Sequence, residues 1–157
     1  MDTCKNKKNI TNNFIIIFKN RTVALSKMMD DKGIVVGVEH IKPLYEMSEK
    51  NIKKHHSKLL EDKKVILQNC DGRNGFKEKA PYQAIHVGAA APQVPKDLID
   101  QLDNNGRLFI PVGGQYESQY IYIIDKDKDG RITEKRVLSV NYVPLTSAEK
   151  QLQNVRK

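Results

Sequence analysis

GIVVGVEHIKPLYEMSEKNIKKHHSKLLEDKKVILQN, residues 33–69, contains a strand, a helix and a second strand in close succession. Ile34–Glu39 (IVVGVE) is an unbroken, largely β-branched apolar run, the pattern of a strand buried on both faces. Pro43 opens a helix, since its missing N–H costs nothing in the first turn. Ile41, Leu44, Tyr45, Ser48, Ile52, His55 and Leu59 then recur at helical spacing along one face. Val65–Asn69 (VILQN) is the next strand. A strand, a covering helix and a returning strand make a βαβ unit, which implies parallel pairing.

The same alternation extends in both directions. Phe14–Phe18 (FIIIF) reads as another buried strand, residues 22–29 (TVALSKMM) as a short helix, and Asp30 to Gly33 as a turn. Downstream, Gln83–Val87 is a strand that runs into Gly88-Ala89-Ala90-Ala91-Pro92. Pro95 opens a helix with Leu98, Ile99 and Leu102 facing inward and Gly106 as its stop. Arg107–Val112 is a strand, and Tyr120–Ile124 and Ile132–Val140 form a hairpin about an Asp/Lys/Gly turn. Residues 141–145 close the core and 147–157 form a polar helical tail. The expectation is an α/β fold, a mostly parallel sheet with a C-terminal antiparallel hairpin. Residues 1–13 are polar and without period and read as a disordered lead-in to a single domain, 14–157.

Composition narrows the function classes. The chain has 157 residues, 39% hydrophobic and 29% charged, with a net charge of +8. The lysines are scattered and no aromatics interleave with them, so the charge reads as a solvated surface and no nucleic-acid partner is expected. No apolar run approaches the ~20 residues needed to span a bilayer. The early run Phe14–Phe18 is short and lacks a small-residue cleavage site, so a secretory signal is not expected and the cytoplasm is the expected compartment. Cys4 and Cys70 are the two cysteines, with no CxxC spacing. They read as reduced thiols, with neither a disulfide framework nor a metal site. A monomer is expected.

In parallel sheets ligands bind beyond the carboxyl ends of the strands, which directs attention to the loops there. Glu39 and His40 end one strand. A carboxylate at such a tip can accept both hydroxyls of a ribose, although a polar strand end is the equally good plain reading. Cys70-Asp71-Gly72 ends the next strand. Asp71 could accept a hydrogen bond from an adenine amino group, with Gly72 letting backbone approach the ring; Asp-Gly is also an ordinary turn dipeptide. The two carboxylates facing one crevice weigh more than either alone. Ala89 and Ala90 sit on a small-residue shelf with room for a ligand or a substrate backbone, or for close helix–sheet packing.

APYQAIHVGAAAPQVPKDLIDQLDNNGRLFIPVG (80–113), followed by VNYVPLTSAEKQ (140–151), resembles the protein-L-isoaspartate O-methyltransferase family. TVALSKMM, GIVVGVEHIKPL and LQNCDGRNGF agree with it in order and spacing, so the resemblance covers about residues 22–153. It implies a Rossmann-like methyltransferase fold and transfer of a methyl group from S-adenosylmethionine to the α-carboxylate of an L-isoaspartyl residue in a damaged protein. It carries cofactor-binding roles onto Glu39, His40, Asp71, Gly72, Thr146 and Gln151, and substrate-binding roles onto Ala89, Ala90 and Val143. Isoaspartyl proteins and peptides are the implied partners. Gln83 departs from the family pattern, in which an acidic residue is more usual.

The family's opening helical region, its Ser/Thr and His segment and its Gly-rich turn have no counterpart in residues 1–21. Lys19-Asn20-Arg21 stand where the glycines belong, and such side chains fill the space that backbone would leave to a cofactor. No catalytic residue is therefore carried over. The chain reads as truncated at its N-terminus, with weak or no activity expected.

Two other readings stay open. One is a non-catalytic nucleotide- or protein-binding module that keeps Glu39 and Asp71. The other is a calcium loop at 125–130 (DKDKDG), against which Arg136 stands at the twelfth position, where a bidentate Glu belongs, between flanks that read as strands.

Overall fold

Ile15, Ile16 and Ile17 are each at most 2% exposed and form the middle of the protein. A computed structural model describes residues 12–17, 22–29, 33–114 and 116–155. Within them the elements are β1 (Asn12–Ile17), α1 (Thr22–Met28), β2 (Gly33–Val38), α2 (Lys42–Glu61), β3 (Val65–Gln68), β4 (Tyr82–Val87), α3 (Lys96–Asp100), β5 (Leu102–Val112), β6 (Gln119–Lys126), β7 (Ile132–Val140) and α4 (Ala148–Val155). The strands form one sheet in the order β3-β2-β1-β4-β5-β6-β7. The pairings from β3 through β5 are parallel, and β6 and β7 add antiparallel. The expected sheet and hairpin are thus present. Order reverses at β1, which sits between β2 and β4, so the ligand crevice of a doubly wound sheet belongs at the carboxyl ends of these strands.

Strand alternation assigns the two faces. Gly37 faces α1, where an added Cβ would lie 2.9 Å from Thr22 Oγ1. Val36 and Val38 point the other way, into a core with Ile15, Ile17, Tyr82, Ile85, Val87, Leu98 of α3, Leu102, Leu108 and Ile110. Burial of this cluster stabilises the fold at about 25 cal/mol per Å² of apolar area removed from water.

Several boundaries differ from expectation. β1 begins at Asn12, which pairs with Gly33, so the strand takes in two residues read as lead-in. Residues 1–11 lie outside the described residues, as do Phe18, Lys19, Asn20 and Arg21 and most of the expected turn at 30–32. The helix after Pro95 ends at Asp100, and Leu102 belongs to β5 rather than to that helix. Tyr82 N–H donates to Gln101 O at 2.8 Å and Leu102 pairs with Tyr82. The sheet thus captures the chain one turn earlier than the helical period suggests. Of the expected inward face, Ile41 at the N-cap of α2 and Ile52 within it are buried; Leu44 and His55 are exposed, and the helical dihedrals are interrupted at His56. Among the described residues no helix is long and apolar enough to cross a membrane.

Candidate functional site

The carboxyl end of β2 delivers Glu39 into the interior, where it is 6% exposed. Its backbone N–H still bonds Gln68 O of β3, at 2.9 Å. Its carboxylate then turns across the start of α2 and accepts the Ile41 N–H through Oε1 at 2.8 Å. Strand pairing and helix start therefore hold this carboxylate from two sides. His40, next in sequence, is half-buried and donates from Nε2 to Gln151 Oε1 of α4 at 2.7 Å. Glu39, His40 and Gly72 meet Ile17, Val38 and Leu145 around one narrow cleft. The sequence-predicted residues of the second and third strand tips thus converge, although Asp71 itself is not part of that lining. The cleft's free volume is about 10 Å³, room for about one water.

Asp71 opens a short 3-10 turn at Gly72–Asn74 and stabilises it, its Oδ1 accepting the Arg73 N–H at 3.0 Å. The Arg73 guanidinium closes on the same carboxylate, from Nε to both oxygens at 3.0 Å and from Nη2 to Oδ2. That pairing holds the Asp71 carboxyl below the usual range, with His40 adding to the effect. Burial, with Asp71 and Glu78 nearby, raises the Cys70 thiol. Cys70 and Asp71 face a second, open hollow of about 450 Å³ with Phe76, Lys77 and Asp97 on its rim. The Asp71-Gly72 step is therefore the wall between the two spaces.

Gly72 also answers to a constraint within the protein. An added Cβ there would lie 2.3 Å from Ile17 Cγ2. The backbone's close approach here is to the tip of β1, so steric need within the protein already accounts for the glycine. Gly75, with φ +63, closes the loop against Gln101.

The expected shelf also takes a more enclosed form. Ala89 and Ala90 are 0% and 1% exposed. Ala90 N–H donates to Val143 O at 2.9 Å, and Leu145 N–H donates to Ala90 O at 2.7 Å. The segment 143–145 lies on the shelf like an extra short strand. The alanines are its floor, while Val143 stands above them, 61% exposed. Thr146, half-buried, leads from this segment toward α4.

Two buried glutamines that the sequence reading missed set these loops. Gln101, 4% exposed, accepts the Phe76 N–H through Oε1 and donates through Nε2 to Asn74 O and Asp97 O, each at 2.8 Å. It pins the loop that carries Asp71. Gln119, 2% exposed, accepts the Tyr142 N–H at 2.6 Å and donates to Tyr142 O and Gly114 O at 3.2 Å. It fixes the backbone just before Val143. A Gln beside apolar residues carries no periodic signal, so only its satisfied amide in the folded protein reveals its role.

The calcium reading gains no support. Asp125 lies in β6 and holds Arg107 at 2.6 and 2.9 Å. Asp127 Oδ1 accepts the N–H groups of Asp129 and Arg131 and so closes the hairpin turn. Among the described residues no group of three or more His, Cys, Asp or Glu side chains could hold a metal ion.

Comparison with known proteins bears on the whole arrangement. The chain is 54% identical over 130 residues to protein-L-isoaspartate O-methyltransferase of Caenorhabditis elegans, covering 83% of this chain and 57% of that protein. It is 46% identical to protein-L-isoaspartate O-methyltransferase 1 of Arabidopsis thaliana, covering 83% and 56%. The chain thus spans little more than half the length of these relatives. A crystal structure from Plasmodium falciparum, described as a protein-L-isoaspartate O-methyltransferase in complex with S-adenosyl-L-homocysteine, superposes with a TM-score of 0.76 at 29% identity, over 86% of this chain and 66% of that one. A second solved protein-L-isoaspartate O-methyltransferase, 23% identical, shares the fold with a TM-score of 0.75. The sheet is therefore the Rossmann-like sheet of these methyltransferases. Because the match to the family runs from residue 20 to residue 150, through the strand tips, the shelf and the segment that lies on it, the chain belongs to the protein-L-isoaspartate(D-aspartate) O-methyltransferase family.

Proposed function

We propose that this chain provides the nucleoside-binding and substrate-lining part of a protein-L-isoaspartate O-methyltransferase. The partners of that reading are isoaspartyl proteins and peptides, met by a monomer in the cytoplasm with no nucleic acid involved. One observation carries it: Glu39 and His40 from β2, Gly72 after β3 and Leu145 before α4 meet at one crevice, at the point where strand order reverses.

The donor set fits a nucleoside. Glu39 is a buried carboxylate suited to ribose hydroxyls, and Asp71 a half-buried one suited to an exocyclic amine. The cleft as it stands is smaller than a nucleoside, so binding requires its walls to move apart. S-adenosylmethionine, when bound, supplies an electrophilic methyl group. This chain's residues then orient: Glu39 holds one end, His40 with Gln151 closes over it, and residues 143–145 present backbone to an extended peptide. Alignment of this kind can contribute several kcal/mol to a transfer that needs little acid–base help.

Two measurements separate the possibilities. Calorimetric binding of S-adenosylhomocysteine tests the nucleoside reading. Formation of a base-labile methyl ester on an isoaspartyl peptide, and not on its aspartyl twin, tests the activity. Binding without ester formation would support the alternative of a nucleotide-binding module. No binding would end both.

A further inference from the structure

We propose that Arg73 is an internal competitor for the Asp71 carboxylate, and that, for a purine lying along the Asp71-Gly72 wall between the two spaces, it sets the preference for a 6-amino over a 6-oxo edge. The inference rests on the nucleoside reading above.

An ionised carboxylate offers about four acceptor positions on its two oxygens. Arg73 engages both oxygens from within the same loop with three N–H groups: its backbone N–H on Oδ1, a single Nε–H shared between Oδ1 and Oδ2, and Nη2–H on Oδ2. An adenine amino group seeking Asp71 therefore competes with these contacts for the same two oxygens. The displaced group stays beside the ring, where its N–H donors suit a 6-oxo oxygen. The same pair can thus receive either purine edge, Asp71 by accepting and Arg73 by donating, which flattens discrimination.

Displacement is feasible. The Arg73 and Asp71 side chains are 44% and 27% exposed, so their pairing is worth at most about a fivefold factor in an equilibrium. A second partner is at hand, because Glu149 in the first turn of α4 acts electrostatically on both Arg73 and Asp71. A guanidinium leaving Asp71 can turn toward α4, the helix whose Gln151 already meets His40.

The test uses the full 157-residue chain and calorimetric titration with S-adenosylhomocysteine and with S-inosylhomocysteine, its 6-oxo counterpart. The native chain should bind the two within about threefold of each other. Arg73→Leu should tighten the adenosyl ligand about three- to fivefold and weaken the inosyl ligand, widening their ratio to about tenfold or more. Arg73→Lys, which keeps the charge but loses the fork, should fall between. An unchanged ratio in Arg73→Leu, or weaker binding of the adenosyl ligand by a variant that melts like the native chain, overturns the proposal. Native chain that binds neither ligand overturns the nucleoside reading and this inference with it. Binding with an unaltered ratio removes the inference alone.

Discussion

His40 Nε2 and Gln151 Oε1 stand 2.7 Å apart across 111 positions of sequence. This bond ties the tip of β2 to the last helix. Gln151→Leu should raise amide exchange across 148–152 about five- to tenfold, the worth of one partly buried neutral hydrogen bond, and leave exchange in β4 and β5 unchanged. Unaltered exchange at α4 would mean that other contacts, among them the backbone bonds of 143–145 to Ala90, hold the segment.

Gly72 and Ile17 are packed so closely that a methyl group cannot be added without movement. Gly72→Ala should cost about 1–3 kcal/mol in urea unfolding, through the 2.3 Å approach to Ile17 Cγ2. Ile17→Ala alone should also destabilise, by about 2–4 kcal/mol. The double variant should be more stable than the sum of the two single costs, because removing Cγ2 makes room for the new Cβ. Strict additivity would show that the glycine is not there for Ile17.

Gln101→Leu removes three hydrogen bonds at once and leaves the Phe76 N–H without its acceptor. A loss of at least about 2 kcal/mol is expected, with the largest chemical-shift changes at 71–77. Gln119→Leu should act in the same way on 141–145. A neutral result for either would remove it as a positioning residue.

Acid should weaken the protein through Asp71 and Asp125. The arginine partners Arg73 and Arg107 hold both carboxyls below the ordinary aspartate range. A depressed folded value means that the stabilisation is complete above about pH 4, the unfolded value, and fades as pH falls through the lower folded value. Each pair reaches solvent, with Asp71 at 27% and Asp125 at 41% side-chain exposure, so screening limits each contribution to about 1 kcal/mol. Urea unfolding between pH 5 and pH 2.5 should show this decline, and Arg73→Leu should lose the Asp71 share. A variant with the native pH slope would contradict the assignment.

Much of this was legible along the chain. Apolar runs at Phe14–Phe18 and Ile34–Glu39 read as buried parallel strands because burial on both faces favours continuous, largely β-branched side chains. The tips Glu39-His40 and Asp71-Gly72 could be located because they follow such runs. Two features were not legible. The helix after Pro95 is shorter than its apolar period suggests, since Leu102 serves β5 instead. The small-residue shelf is covered by 143–145, a pairing between distant segments.

Sequence by itself determined the element types, the parallel sheet with its antiparallel end, and the family, because these follow from local period and from long matched strings. Only the tertiary structure decided that Gly72 answers to Ile17, that Gln101 and Gln119 hold the loops, that Arg73 occupies Asp71, and that His40 meets Gln151. Each of these is a contact or close fit whose geometry depends on the folded chain, and a one-dimensional pattern records neither distance nor what a buried polar group has found to bond.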